Sequence, residues 1–275
     1  MALLHVLVLA IVQGITEFLP VSSSGHLDLT WRVFDAYGLA VPENTTEERL
    51  IVNVAVHVGT LFAVCLYFHR DLGQMLVGVL RLVTGRGGPG ARLAAYVVAG
   101  TLPLLAAGIL LKPAITAHVS GNVTVIAWTT VGFAVLLYFA DYFGMTVRRV
   151  EHLTLGNAIV IGAAQILALV PGTSRAGITM TAARMLGFER AEAARFSLLL
   201  AIPAILGAGT LAGLDLYASG NVRLGLDALV AAAFAFVAAL AAIALMMRWL
   251  QHASFTPFVV YRLVLGGFLL WLIYA

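Results

Sequence analysis

The sequence predicts an all-α integral membrane protein: one polytopic domain of six transmembrane helices plus two re-entrant helical hairpins, arranged as an inverted-topology repeat. Three observations predict it. The composition is too apolar for a water-facing surface, six apolar runs are uninterrupted, and two further apolar regions are broken midway by similar polar stretches. Of the 275 residues, 61% are hydrophobic and 11% charged, whereas a soluble domain carries about a quarter charged residues. Mean hydropathy is +1.00. Cys65 is the only cysteine, so no intramolecular disulfide is possible. The net charge of +3 comes without the long basic run that nucleic-acid binding needs, and no nucleic-acid partner is expected.

The first apolar segment, MALLHVLVLAIVQGITEFLP, lacks a basic n-region and is not followed by a small-residue cleavage site. It therefore reads as part of the mature chain. Spans are expected at about 49–69, 93–111, 122–143, 195–216, 225–248 and 255–274, each close to the roughly 20 apolar residues that cross a bilayer. The stretch 70–84 is amphipathic and carries arginines, so it is expected to lie along the membrane surface.

The two remaining apolar regions, about 2–38 and 153–188, are interrupted by LPVSSSGH and VPGTSRAG. Pro20-Val21-Ser22-Ser23 aligns with Pro171-Gly172-Thr173-Ser174, and Gly25 and Gly177 follow. Gln13 and Gln165 precede the two breaks at offsets that differ by one residue. This is a small internal repeat, about 150 residues apart.

Charge orients the chain. Arg70, Arg81, Arg86, Arg92, Arg148, Arg149, Arg184, Arg190, Arg195 and Arg248 fall on one set of connections, against Arg32, Arg49, Lys112 and Arg223 on the other. The arginine-rich side is expected to be cytoplasmic. A hairpin that enters and leaves on one face is re-entrant. Three spans separate the two breaks, so the hairpins come from opposite faces and the halves, about 1–143 and 144–275, are inverted. Folds of this kind place their sites where broken helices meet near the midplane, because irregular backbone is tolerated there only inside protein or beside a wet cavity.

The breaks also carry chemistry. Unpaired N–H groups at a helix N-terminus form an anion site, and Gly25 and Gly172 allow a ligand to approach the backbone closely. Ser22, Ser23, Thr173, Ser174 and Thr179 add hydroxyls. Arg175 supplies a permanent cation shaped for phosphate oxygens, and an intramembrane arginine calls for a partner. That partner is either an anionic ligand or Glu17. Glu17 can itself hold a divalent cation, and Ser23 with His26 forms a candidate nucleophile–base pair. His57, within the first span, reads first as a packed histidine. Arg262 and Asp28 stay open between structural and ligand-facing roles.

QGITEFLPVSSSGHL followed by VPGTSRAGITMTAARMLGF resembles the undecaprenyl-pyrophosphate phosphatase family, the bacitracin-resistance proteins of bacterial membranes. The likeness covers essentially the whole chain. It implies an enzyme that removes the terminal phosphate of undecaprenyl pyrophosphate, regenerating the carrier for cell-wall synthesis. It also implies a divalent cation (Mg²⁺ or Ca²⁺), an inner-membrane location, and a site that opens to the periplasm. A homodimer is left open. Carried over by position, Glu17 is the motif glutamate and metal ligand, Ser23 the nucleophile or phosphate contact, and His26 the motif histidine. Arg175 is the pyrophosphate-binding arginine, with Ser22, Thr173, Ser174 and Thr179 around it. The chain departs from the family pattern at Gln13, where a first glutamate is usual, and at Ala176, where a serine is usual. Gln13 keeps a carbonyl for a cation but removes a negative charge. The nucleophile (Ser23, His26 or water) stays open.

Two other classes compete. Inverted repeats and broken helices also characterise secondary transporters and lipid flippases, which would move substrate without releasing phosphate. SSSGH superficially resembles a motif of the type-2 phosphatidic acid phosphatases. Those enzymes need a histidine six residues after the motif arginine. Here that position is Thr181, and no histidine follows until His252.

Overall fold

The computed structural model describes residues 3–37, 46–83, 85–119, 121–219 and 225–275. Arg223, one of the charges used above to orient the chain, lies outside them. Among the described residues every regular element is helical, and the only extended pairing is an isolated bridge between Arg148 and Phe188.

The helices run α1 (Leu3–Thr16), α2 (Ser23–Ala36), α3 (Thr46–Tyr67), α4 (His69–Val83), α5 (Pro89–His118), α6 (Val123–Phe143), α7 (Leu155–Ala164), α8 (Arg175–Met185), α9 (Arg190–Ser219), α10 (Gly225–Leu250) and α11 (Thr256–Tyr274). A 3₁₀ segment, Gln165–Leu169, extends α7. Local sequence sets several of the ends. Pro89 opens α5, where its missing N–H costs nothing. Asn122 caps α6 by accepting from the Thr124 and Val125 N–H groups, and Thr154 caps α7 by accepting from Asn157.

Five of the described helices are long and apolar enough to cross a membrane: Pro89–Leu111, Val123–Phe143, Arg190–Thr210, Leu226–Leu250 and Thr256–Tyr274. They match five of the six expected spans. A sixth crossing arises if Ile51–Tyr67 and His69–Leu82 count together, but the two bend by 79° at their junction. The structure thus separates α3 from α4 where the sequence expected a span to give way to a surface stretch. Large aliphatic side chains such as Ile109, Leu110, Leu226 and Val264 face outward, the pattern of a lipid-facing exterior. The chain is therefore a multi-pass helical membrane protein.

Packing depends on backbone approach at small residues, as is usual where lipid offers no hydrophobic drive between helices. Gly59 of α3 lies so close to α10 that a Cβ there would meet the Ala232 carbonyl oxygen at 2.1 Å. Gly162 of α7 meets Gly100 of α5 in the same way. The first broken region (α1, α2) is held by α3 and α10, and the second (α7, α8) by α5, α6 and α9.

Arg184 is not a loop charge. It is fully buried, donates to Asp141 Oδ1 at 3.0 Å and to the carbonyls of Asp141, Gly144, Met145 and Phe188, and so ties together the segments before and after the second break. Asp141 also accepts from Arg190 at 2.7 Å and from the Phe255 N–H at 3.1 Å.

Candidate active site

The two breaks are built alike. Ser22 and Ser174 are the N-caps of α2 and α8, both at positive φ (76° and 72°), and each side chain accepts from the N–H of a glycine three residues on, Gly25 or Gly177. They are the only non-glycine residues at positive φ among those described. Such a backbone costs about 1–3 kcal/mol and persists only where its surroundings impose it. The shared geometry corrects the sequence alignment by one residue: Ser174 corresponds to Ser22, not to Ser23. In this register Gln13 pairs with Gln165 without an offset, and Ser23 and Arg175 become the equivalent first residues of α2 and α8.

Glu17 joins these two positions. It is buried, its Oε1 accepts from Arg175 Nη2 at 2.8 Å, and its Oε2 accepts from Ser23 Oγ at 2.7 Å and Gln13 Nε2 at 2.7 Å. His57 Nε2 lies 3.8 Å from the same Oε2. The His57 Nδ1–H donates to the Asn53 carbonyl at 2.6 Å, which turns Nε2 toward the carboxylate. The sequence favoured a packed His57, but the structure puts it in the site. No local signal marks it, because its partner is forty positions away in the chain.

These groups line a cleft of about 240 Å³. Its polar side comprises Glu17, Ser22, Ser23, Ser24, His57, Ser174 and Arg175, while Leu104, Ala168, Leu169, Ala204, Ile205 and Ala208 supply an apolar wall. Two helix N-termini therefore open on it, each with N–H groups that no helical carbonyl can satisfy. Ser24 joins the lining although sequence reasoning did not select it.

Other predicted residues lie behind the cleft and shape it. Gly172 sits at φ 90°, and a Cβ there would meet Thr129 Oγ1 at 2.1 Å and the Ile126 carbonyl at 2.6 Å. Thr129 Oγ1 also donates to the Pro171 carbonyl at 2.7 Å. Thr179 is buried and hydrogen-bonds the Arg175 carbonyl at 2.9 Å and Ser197 Oγ at 2.6 Å, so it supports the arginine rather than facing the cleft. Thr173 is buried among the backbone of the second break, and its hydroxyl has no hydrogen-bond partner among the described residues.

His26 is turned away from the cleft lining. Its Nδ1 lies 2.7 Å from the Ser22 carbonyl and its Nε2 2.6 Å from Tyr261 Oη, on which the ring stacks. Asp28 pairs with Arg32 at 2.8 Å and not with His26. Arg262 is fully buried and donates to the carbonyls of Thr130, Pro20, Gly172 and Thr173 at 3.0–3.2 Å, stapling the two breaks to each other. That settles its role as structural.

A hard divalent cation takes oxygen donors, and Glu17 is the one carboxylate among the described residues that line the cleft, with both its oxygens already accepting hydrogen bonds. The Glu17 carboxylate sits beside Gln13, whose Oε1 is buried without a hydrogen-bond partner among the described residues. Among those residues no three His, Cys, Asp or Glu side chains gather as a complete ligand set.

A cleft lined by a carboxylate, a guanidinium, hydroxyls and two helix N-termini, set in a bundle of helices long and apolar enough to cross a membrane, defines a multi-pass membrane protein with a buried polar site. Residues 6–268 match the family described as Bacitracin resistance protein BacA, and the chain belongs to that family. It is 50% identical to undecaprenyl-diphosphatase 1 of Rhodospirillum rubrum, over all of this chain and 96% of that one. It is 45% identical to the undecaprenyl-diphosphatases of Ruegeria pomeroyi and Hahella chejuensis, over the full length of both chains in each pair.

Proposed function

We propose that this protein is an undecaprenyl-diphosphatase: it hydrolyses the terminal phosphate of undecaprenyl pyrophosphate and returns the monophosphate carrier to cell-wall synthesis, with bacitracin resistance as a consequence. The observation that carries this reading is the Glu17 carboxylate bound at once by Ser23 and Arg175, at two helix N-termini, in a cleft with an apolar wall. Family membership and full-length relatives with that name support it.

The pyrophosphate enters between the two N-termini while the prenyl tail lies against Leu104, Ala204, Ile205 and Ala208. Arg175 and the free N–H groups hold the phosphate oxygens, and phosphoryl transfer then depends on positioning and charge neutralisation. Ser23 Oγ attacks the terminal phosphorus and its proton passes to Glu17 Oε2, 2.7 Å away. The anhydride bond breaks, undecaprenyl phosphate leaves, and water releases inorganic phosphate from the serine. Glu17 would hold a divalent cation, Mg²⁺ or Ca²⁺, which would neutralise phosphate charge when bound.

In the membrane, α3 spans and α4 lies on the cytoplasmic surface, presenting Leu76, Leu80 and Leu82 outward. The α1–α2 and α7–α8 pairs are re-entrant hairpins of inverted halves within a single domain. The common cap and register of the two breaks support this arrangement. The protein resides in the bacterial inner membrane with its site open to the periplasm.

The test is release of inorganic phosphate from a polyprenyl pyrophosphate by purified protein, with and without EDTA, beside Glu17→Ala and Arg175→Ala. Metal-dependent release that both folded variants lose supports the enzyme. Intact protein that binds the lipid and releases no phosphate refutes it.

A further inference from the structure

We infer that Tyr261 of α11 is a positioning residue for Ser23, acting through His26 on the strained Ser22 turn. The inference rests on the reading of Ser23 as the reacting hydroxyl. A carbonyl oxygen only accepts, so the 2.7 Å contact between His26 Nδ1 and the Ser22 carbonyl requires the proton on Nδ1. In the neutral ring Nε2 is then the sole acceptor, and it takes the Tyr261 O–H at 2.6 Å. The rings stack with centroids 5.6 Å apart and planes 14° apart, which fixes the imidazole face as well as its tautomer. The result is a chain of contacts from α11 to Ser22, whose φ of 76° points the next residue, Ser23, at Glu17.

The second break shows why a brace is needed. Its turn has the same positive φ at Ser174, and in both turns the fourth residue on donates its backbone N–H to the serine carbonyl, His26 to Ser22 at 3.2 Å and Ile178 to Ser174 at 2.9 Å, but the Ile178 side chain adds no second hydrogen bond. There Arg262 holds the turn directly, through the Gly172 and Thr173 carbonyls at 3.0 Å. Adjacent residues of one helix thus restrain the strained turns: Arg262 reaches both, at the Pro20 carbonyl of the first and the Gly172 and Thr173 carbonyls of the second, and Tyr261 adds an imidazole-borne contact to the first alone. The same geometry argues against His26 as the base for Ser23. Its only basic nitrogen faces Tyr261, and neither ring lines the cleft.

The experiment compares kcat, KM and pH–rate profiles of wild type with His26→Asn, His26→Gln, His26→Ala and Tyr261→Phe. An asparagine amide nitrogen occupies the place of Nδ1 and can still donate to the Ser22 carbonyl, whereas glutamine places its amide near Nε2. His26→Asn is expected to stay within about tenfold of wild-type kcat, the value of one lost hydrogen bond. His26→Gln and His26→Ala should fall roughly 100-fold, as misplacement of a reacting group does, with KM for the lipid little changed. Tyr261→Phe should lose about tenfold in kcat and cost nothing more when added to His26→Ala. The pH profile of His26→Asn should keep the wild-type shape. His26→Asn as inactive as His26→Ala, loss of a limb of its pH profile, or full activity in Tyr261→Phe would each overturn the inference. Phosphate release by the wild type tests the enzyme reading separately. Should that fail, NMR of isotope-labelled histidine still decides: an Nδ1–H tautomer that Tyr261→Phe perturbs supports the brace, and an Nε2–H tautomer overturns it.

Discussion

Glu17 and Arg175 meet at 2.8 Å although 158 positions separate them, one preceding the first break and the other beginning the helix after the second. Both are mostly buried, with side-chain exposures of 5% and 16%. Removing one partner of such a pair leaves the other charge uncompensated, which is costly in a low-dielectric setting. The same two groups face the cleft, so their loss should disable phosphate handling as well as weaken the junction. Glu17→Gln, which keeps the shape and removes the charge, is expected to lower phosphate release by roughly 100-fold or more. Release assays on detergent-purified, folded protein measure it, with thermal unfolding alongside to read the weakened junction.

Ser23 and Ser24 are neighbours in the cleft lining, but only Ser23 bonds Glu17. Ser23→Ala should abolish turnover to background, while Ser24→Ala should retain activity within about tenfold, the value of a single hydrogen bond. Rapid acid quench after mixing with terminally labelled substrate should recover label on wild-type protein and none on Ser23→Ala.

His57 lies 3.8 Å from Glu17 and lines the cleft. Its substitution by alanine opens the site to water and removes a polar contact at the mouth of the carboxylate. About a tenfold fall in kcat/KM is expected. Steady-state kinetics with a detergent-dispersed polyprenyl pyrophosphate provide the check.

Gln13 donates Nε2 to Glu17 Oε2 at 2.7 Å, and its own Oε1 is buried with no hydrogen-bond partner among the described residues. Gln13→Glu adds a second carboxylate and should lower the half-saturating cation concentration, by roughly tenfold, since affinity of oxygen sites rises with ligand charge. Titration of EDTA-stripped protein with Mg²⁺, read by phosphate release, measures the shift. Unchanged cation dependence would place the cation away from Gln13.

Gly172 combines φ 90° with backbone 2.6 Å from where a Cβ would sit, whereas a Cβ on Gly73 would meet nothing within 4 Å. Gly172→Ala should destabilise by about 2 kcal/mol or more through the left-handed backbone and the clash. Gly73→Ala, in an exposed helix, should be neutral or stabilising. Thermal unfolding of the two variants side by side tests the contrast.

The sequence by itself determined the class of protein and where its polar candidates interrupt the apolar chain. Composition, the length of the apolar runs and the two polar interruptions are local properties, and each acts through the bilayer, which demands about 20 apolar residues per span and tolerates broken backbone only where protein or water satisfies it. Glu17, Ser23 and Arg175 were legible for the same reason: a carboxylate, a hydroxyl and a guanidinium have no business in a lipid-facing stretch. Tertiary structure alone decided what each group touches. It set the one-residue correction that makes Ser23 and Arg175 equivalent, because a cap is defined by backbone angle and hydrogen bond, not by residue type. It brought His57 into the site and turned His26 toward Tyr261, since the rotation of a helix about its axis depends on partners from α10 and α11 that lie far along the chain. It also assigned the buried Arg262 to the carbonyls of both turns, a role no spacing in the sequence reveals, because those acceptors are backbone atoms that every residue carries alike.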